Sequence, residues 1–277
     1  MRPIPVCLTV RNDIKNIEAC LESLMKQDYP HKLFVHDANS TDGTFEVIQK
    51  FKPYKIFRSK TNISRGRNIT LKEALKLKTK YVVIVNSDVV LPKHWIKNAV
   101  RTLDKLPECG ALGSYQLPPK NFWERIVYYI TSYSMISDFT KNMTEYSNIA
   151  CEAACFKSEV FEKTGLFNEN LIWTEDTELS HRIRKHGYKI YYAKILAIRH
   201  HFKSNLVAYA KQQFQYGRGW KEWKKLNFTD FPLPQRLFHL ILNPWKAGFK
   251  EKNVLLPFLI YFYGCVKVVS NLLGRLS

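Results

Sequence analysis

Residue types that bind phosphates and cations fall at three points in the first third of the chain. Val10-Arg11-Asn12-Asp13, His36-Asp37 and Asn86-Ser87-Asp88 each stand at the end of a short apolar run. A fourth point, Glu175-Asp176, opens a segment with helical spacing. Carboxylate and amide oxygens bind hard cations, and arginine suits a phosphate. Together these residues predict a site for a nucleotide diphosphate held through a metal ion.

The motifs of more common nucleotide and hydrolase sites do not occur in the sequence. There is no G-x-G-x-x-G, no G-x-x-x-x-G-K-[ST] and no G-x-S-x-G. We therefore expect neither a Rossmann dinucleotide site, nor a P-loop, nor a nucleophile elbow.

Alternating strand and helix patterns must position the polar residues. Short strands are predicted at Ile4–Val10, Leu33–Val35, Lys55–Phe57 and Tyr81–Val85, and segments with helical spacing separate them. This alternation predicts βαβ units and a mostly parallel sheet flanked by helices, an α/β fold. Because such crossovers are right-handed, the carboxyl ends of the strands lie along one edge, where ligands bind. A single polar loop before a helix can be explained by helix capping alone. Three polar loops at one edge of the sheet favour a ligand cleft.

Fewer elements can be assigned in the second half of the chain. A helix is predicted to begin at Thr174-Glu175-Asp176 and to end at Gly187. Two strands are then predicted, at 188–193 and 195–198, before Arg199-His200-His201.

An ordered set of motifs resembles the series found in family 2 glycosyltransferases. The set comprises Val10-Arg11-Asn12-Asp13, the stretch from His36 to Thr44, Arg67-Asn68, Asn86-Ser87-Asp88 and Thr174-Glu175-Asp176. Members of that family have the GT-A fold and use nucleotide-sugar donors, and the resemblance covers about residues 4–220. It implies a GT-A catalytic domain in residues 1–220, followed by a basic, apolar helical segment in residues 221–277.

The resemblance assigns donor-binding roles to residues near the sheet edge. Asp37 corresponds to the acid that accepts hydrogen bonds from the base, typically uracil, and Arg67 to an arginine near the donor. Val10, Arg11, Asn12, Asp42 and Ser87 complete the nucleotide-sugar contacts on this side. For Asp42, a role as a helix N-cap would account for the residue equally well.

The family's D-x-D motif corresponds to Asn86-Ser87-Asp88. That motif holds Mn²⁺ or Mg²⁺ against the diphosphate. Here Asn86 replaces the first acid and could give a neutral carbonyl or contact the ribose. Asp88 is the expected metal ligand. His200 or His201 is a possible further ligand, and we assign this role to His200.

Catalysis is assigned to Glu175 and Asp176. The resemblance implies that Asp176 is the base that deprotonates the acceptor hydroxyl, with Glu175 orienting the acceptor. A helix start favours the ionised carboxylate that a base requires. Further along, Arg218 and Trp220 lie in a stretch loosely similar to family motifs that meet the diphosphate and the sugar.

The positive charge of the chain requires an explanation beyond the donor site. The 277 residues carry 43 Lys and Arg against 24 Asp and Glu, a formal net charge of +19. Nucleic acid, an anionic membrane and a phosphorylated substrate are the three partners that such a charge suits. Residues 201–277 hold 12 Lys and Arg against 3 Asp and Glu, next to the apolar run Val254–Leu273. The combination of positive charge and an adjacent apolar run favours a monotopic attachment to an anionic membrane over a helix that spans it.

The sequence therefore predicts a metal-dependent inverting glycosyltransferase on the cytoplasmic face of the membrane. It would move a sugar from a UDP-sugar, with a GDP-sugar as the second candidate donor, to a hydroxyl of a lipid-linked or surface glycan. The alternatives are a non-catalytic scaffold with the same fold, which Asn86 keeps open, and a basic nucleic-acid-binding protein, which leaves the acids unexplained. The six cysteines have no zinc-binding spacing and predict buried thiols.

Overall fold

The computed structural model of the chain describes residues 2–131, 142–203, 205–224 and 244–276. They form two compact units. The first unit holds the described residues up to Leu117 and those from Asn142 to His200, and the second holds the described residues of 118–141 and those from His201 onward. The predicted division at residue 220 differs from these units, because helices on both sides of that residue share one core.

Nine strands form the sheet of the first unit. They are β1 (Ile4–Val10), β2 (His31–Asp37), β3 (Lys55–Arg58), β4 (Tyr81–Asn86), β5 (Val89–Val90), β6 (Cys109–Gln116), β7 (Met143–Glu145), β8 (Ala153–Lys157) and β9 (Lys189–His200).

Helices cover the sheet or build the second unit. They are α1 (Ile17–Met25), α2 (Thr44–Lys50), α3 (Ile63–Leu75), α4 (Trp95–Asp104), α5 (Phe122–Thr131), α6 (Ser158–Thr164), α7 (Glu175–Lys185), α8 (Leu206–Lys224), α9 (244–251) and α10 (Leu256–Leu276).

The strand order is β3-β2-β1-β4-β8-β6-β9-β5, with β7 paired to β9. Strands β1 to β4 run parallel, as the alternating pattern predicts, whereas β8 is antiparallel to both β4 and β6. Every residue of β1 is buried, which explains why its sequence is apolar except for Thr9. The parallel strands bring the ends of β1, β2 and β4 to one edge.

The two strands predicted at 188–193 and 195–198 are parts of one longer strand, β9. Its pairing with β6 shifts register between Ser114 and Gln116, where the partners change from Ala193 to Ile198. This irregularity interrupts the alternation of buried and exposed residues. The sequence pattern therefore indicates two strands although β9 is continuous.

The second unit is built around aromatic side chains of α5, α8 and α10. Tyr128, Tyr209, Ile260 and Tyr263 are buried in one cluster. Glu251 joins α9 to α5, because its carboxylate accepts hydrogen bonds from Tyr129 Oη at 2.6 Å and from Arg125. Within the described residues, one helix, Leu256–Leu276, is long and apolar enough to cross a membrane by length and composition.

All six cysteines are free thiols, and five of them are buried. The exception to the predicted burial is Cys265, which is exposed on α10.

Candidate active site

Hydrogen bonds tie together the loops that follow β1, β2 and β4. Asn12 N donates to Ser40 Oγ at 2.8 Å, and Thr41 N donates to Asn12 Oδ1 at 2.9 Å. Ser87 Oγ donates to Asp13 Oδ2 at 2.5 Å. Asn12 has a φ of 50°, in the left-handed region that asparagine tolerates. The residues predicted at the three strand ends therefore stand on one connected edge.

The end of β1 presents one buried and one exposed residue. Val10 is buried, and its carbonyl accepts a hydrogen bond from Ala38 N at 2.8 Å. Arg11, directly after it, is exposed. Of these two predicted donor contacts, only Arg11 has its side chain at the surface.

Asp37 is fully buried and keeps one carboxylate oxygen available. Its Oδ2 accepts a hydrogen bond from Ser40 N at 3.0 Å and lies 3.4 Å from Arg58 Nε. Its Oδ1 is buried and has no hydrogen-bond partner among the described residues. A buried acceptor without a donor is costly, so this oxygen suits an N–H group of a bound ligand. Arg58 was not predicted, although the register pairs it with Asp37 at the ends of β3 and β2.

Asp42 holds the loop before α2. Its Oδ1 accepts hydrogen bonds from Thr44 N at 3.1 Å and Thr44 Oγ1 at 2.6 Å, and its Oδ2 accepts one from Ile14 N at 3.1 Å. Burial acts to raise the pKa of Asp42, but these hydrogen bonds outweigh it and lower the pKa. These contacts match the capping alternative given above.

Arg67 connects two of the predicted motifs. Its guanidinium is buried, with Nη1 2.5 Å from Glu175 Oε1 and Nη2 donating to Asn86 Oδ1 at 3.0 Å. Asn86 therefore uses its amide oxygen to accept from Arg67. The arginine lies inside the site and orients both residues.

Asp88 and His200 form a pair at the same edge. Their Oδ2 and Nε2 atoms are 3.5 Å apart, and β5 brings them together because Val89 is paired with His200 in β9. His201, the other histidine considered, lies 3.7 Å from Glu124 in the second unit.

The Asp88–His200 pair has the donor types that Mn²⁺ accepts, one carboxylate oxygen and one imidazole nitrogen. Among the described residues, no group of three or more His, Cys, Asp or Glu side chains is placed to hold one ion. A cation held by this pair would take its remaining ligands from a diphosphate and water, as Mg²⁺ commonly does.

Glu175 and Asp176 begin α7 after Thr174, which has a φ of 69°. Burial raises the pKa of Glu175 to about 7 although Arg67 acts against it. Burial also raises the pKa of Asp176, again opposed by Arg67. Desolvation thus outweighs the helix start that was expected to favour the ionised form. Asp176 Oδ1 accepts a hydrogen bond from Thr177 N at 2.8 Å.

Glu152 is a site residue that the sequence motifs did not indicate. It immediately precedes β8, and its carbonyl accepts a hydrogen bond from Asn86 N at 2.8 Å. Its carboxylate interacts electrostatically with His200, Asp176 and Asp88. The residue falls in a stretch without a recognisable motif, and only the antiparallel pairing of β8 with β4 brings it to the edge.

The remaining two predicted residues belong to the second unit. Arg218 is exposed on α8. Trp220 lies on the same helix, and its side chain is outside the described residues. Their predicted contacts with the diphosphate and the sugar remain predictions.

Comparison with known proteins identifies the class to which this fold and site belong. Glycosyl transferase family 2 matches residues 6–164, more than half of the chain. The chain belongs to this family, and its fold is the GT-A fold. The family and fold expected from the ordered motifs are thus confirmed.

Particular relatives share parts of the chain. Poly(ribitol-phosphate) beta-N-acetylglucosaminyltransferase TarS of Staphylococcus aureus is 32% identical over 114 residues, covering 38% of this chain and 19% of TarS. UDP-Glc:alpha-D-GlcNAc-diphosphoundecaprenol beta-1,3-glucosyltransferase WfaP of Escherichia coli is 26% identical over 181 residues, covering 61% of this chain and 64% of WfaP. Less than two thirds of either relative is therefore matched.

A solved structure supports the fold across the whole chain. Mannosyltransferase PcManGT from Pyrobaculum calidifontis, in complex with GDP-Man and Mn²⁺, superposes with a TM-score of 0.68 at 19% identity. The match covers 100% of this chain and 88% of that one.

Proposed function

We propose that this chain is a metal-dependent, inverting glycosyltransferase that transfers a sugar from a UDP-sugar to a hydroxyl of a lipid-linked or surface glycan. The observation that carries the proposal is the placement of Asp37, Asp88 with His200, and Asp176 on the same unit. They offer a base-recognition acid, a cation pair and a general base. The donor in the name of WfaP is UDP-Glc, and its acceptor is a diphosphoundecaprenol-linked sugar.

Each residue has a separate task in the proposed reaction. The unpartnered Oδ1 of Asp37 accepts a hydrogen bond from the uracil N–H. Asp88 and His200 would hold Mn²⁺ or Mg²⁺, which when bound neutralises the charge that develops on the departing diphosphate. Solved relatives with this fold contain Mn²⁺, as in the PcManGT complex.

Asp176 removes the proton from the acceptor hydroxyl as its oxygen attacks the anomeric carbon. The new carbon–oxygen bond forms on the face opposite the leaving UDP, so the anomeric configuration is inverted. Glu175 orients the acceptor and is itself oriented by Arg67. General-base catalysis of this kind contributes about 10²–10⁴-fold to a rate.

The substitution Asp176→Asn tests this assignment in the full chain. Transfer from the UDP-sugar should fall by about 10²–10⁴-fold, because the amide cannot accept the proton. UDP binding, measured by calorimetry with Mn²⁺, should be unchanged. Asp28→Asn is the matched control, since Asp28 lies before the amino end of β2, away from the carboxyl edge. Undiminished transfer by Asp176→Asn would contradict the proposal.

The proposal includes attachment to the cytoplasmic membrane face through the second unit. Leu255, Phe258, Phe262, Val269, Leu272 and Leu276 are all more than half exposed and recur at intervals of three, four or seven residues. The opposite face of α10 is buried through Leu256, Ile260 and Tyr263. A helix with one face packed on protein and one apolar face exposed suits the plane of the membrane interface better than a span.

Basic residues flank this apolar face. Lys246, Lys250 and Lys252 are exposed before α10, and Arg275 is exposed at its end. Trp245 packs edge-to-face against Phe258, with ring centroids 5.7 Å apart, and extends the apolar surface onto α9. Lysine and arginine beside a lipid-facing surface favour anionic headgroups.

A further inference from the structure

Main-chain contacts hold the backbone of Glu152 at the candidate site, and they do not involve its side chain. The β4–β8 pairing runs up to Val85 and Ala153, and the hydrogen bond from Asn86 N to the Glu152 carbonyl continues it by one step. Glu152 is therefore held opposite the first residue of Asn86-Ser87-Asp88. The contact depends on main-chain atoms, so a change of side chain leaves it in place.

The carboxylate of Glu152 retains capacity to accept hydrogen bonds. Its own backbone amide donates a hydrogen bond to it, and an ionised carboxylate has about four acceptor sites. The Glu152 carboxylate interacts electrostatically with His200, Asp176 and Asp88. The hydrogen bond from Asn86 N fixes the main chain of Glu152 beside the strand end that carries Asn86-Ser87-Asp88.

Glu152 is not positioned as a third ligand of that cation pair. Together with Asp88 and His200 it would make a group of three, and the described residues contain no such group placed for one ion. A carboxylate that does not bind a cation can accept hydrogen bonds from the hydroxyls of a ligand. In a glycosyltransferase, the transferred sugar lies between the diphosphate and the attacking hydroxyl.

We propose that Glu152 accepts hydrogen bonds from hydroxyls of the transferred sugar and thereby selects a neutral hexosyl donor over a uronosyl donor. The inference rests on the proposed function, because it takes the donor to be a UDP-sugar. A hydroxyl-rich sugar satisfies the carboxylate, whereas a uronate would place a second negative charge beside Glu152, Asp88 and Asp176. Like charges brought together in a partly buried site oppose binding.

The test compares calorimetric binding of UDP, UDP-glucose and UDP-glucuronic acid with Mn²⁺ in the full chain and in Glu152→Gln. The wild type should bind UDP-glucose about tenfold or more tightly than UDP-glucuronic acid, as like-charge repulsion requires. In Glu152→Gln this ratio should shrink by at least severalfold, with UDP affinity unchanged. Glu152→Asp keeps the charge and should keep the ratio.

Glu108→Gln serves as the control, because Glu108 precedes the amino end of β6, at the opposite edge of the sheet. If Glu152→Gln binds UDP normally and keeps the wild-type ratio of UDP-glucose to UDP-glucuronic acid affinity, the role of Glu152 is overturned and the proposed function is not. Failure of the wild type to bind UDP with Mn²⁺ would instead contradict the proposed function. A lower melting temperature with an unchanged ratio would assign Glu152 a structural role and also overturn the inference.

Discussion

At the scale of single residues, burial and Arg67 act in opposite directions on the protonation of Glu175 and Asp176, and burial has the larger effect. The buried guanidinium of Arg67 contacts Glu175 at 2.5 Å and lowers the pKa of both Glu175 and Asp176 against the effect of burial. A base acts only when ionised, so activity is lost as the pH falls through its folded-state pKa. Arg67 thus lowers the pH at which activity is lost.

Replacing Arg67 by methionine should move the acidic limb of the pH profile. Without the cation, the pKa of Asp176 rises further, so the fall in kcat/KM on acidification begins at higher pH. The substitution also leaves Glu175 as an unpaired buried acid, which costs about 3–5 kcal/mol of stability. The measurement is kcat/KM against pH, with folding checked by circular dichroism.

Arg65→Met provides the matched control. Arg65 lies two residues earlier on α3, is exposed and approaches Glu169 only to 3.8 Å, so its loss should not shift the limb. Arg67→Lys retains a cation and should shift the limb less than Arg67→Met. Identical profiles for the wild type and Arg67→Met would refute the electrostatic role.

The sequence anticipated some of these residues and missed others for physical reasons. Asp37, Asp88 and Glu175 were found because strand-end acids and a helix start leave recognisable patterns. Glu152 was missed because its position depends on the pairing of β8 with β4, which no local spacing specifies. The use of Asn86 as an acceptor for Arg67 is likewise a tertiary contact.

At the scale of elements, α3 packs tightly on the sheet through Gly66. A methyl group at this position would lie 2.6 Å from Thr9 Cγ2 and 2.8 Å from His36 Nδ1. Helix α3 carries Arg67, so its close approach to β1 and β2 sets the depth of the guanidinium. No helix-propensity argument predicts a glycine here, since glycine weakens a helix interior.

The substitution Gly66→Ala should therefore destabilise the protein by about 1–3 kcal/mol, the usual cost of overpacking. It should also reduce activity, because α3 must shift outward with Arg67. Gly264→Ala is the control: nothing lies within 4 Å of the added methyl, and alanine favours a helix by up to about 1 kcal/mol. Thermal unfolding of both variants measures the difference. Equal stability for Gly66→Ala and the wild type would show that the sheet adapts.

The elements themselves were predictable to different degrees. Strands β1 and β4 are apolar runs, each followed by a helix pattern, and the parallel half of the sheet followed from them. Strand β8 is short and wholly buried, so its sequence has no alternation to identify it. Strand β9 was divided in two because its register shift against β6 breaks the pattern.

At the scale of the whole molecule, the +19 charge and the exposed apolar face of α10 lead to a membrane-binding prediction. The full chain should co-sediment with vesicles that contain anionic lipid, and less with purely zwitterionic vesicles. Raised salt should weaken the binding, because screening shortens the range of the lysine and arginine charges.

Phe258→Ser with Phe262→Ser is the variant that tests the apolar contribution. Both side chains are more than half exposed, so the double substitution should reduce vesicle binding while leaving the fold intact. Ile14→Ser is the control, since Ile14 is 40% exposed but lies in the first unit. Unaltered sedimentation of the double variant would contradict attachment through this face.

The exposed thiol on α10 gives the protein a natural reporter position. Burial raises the pKa of the other five thiols, Cys7, Cys20, Cys109, Cys151 and Cys155, which slows their reaction with alkylating reagents. A maleimide dye should consequently attach at Cys265 in the unmodified chain. Its emission would then shift with the polarity around that helix, and docking onto a bilayer could be followed in real time without engineering a label site.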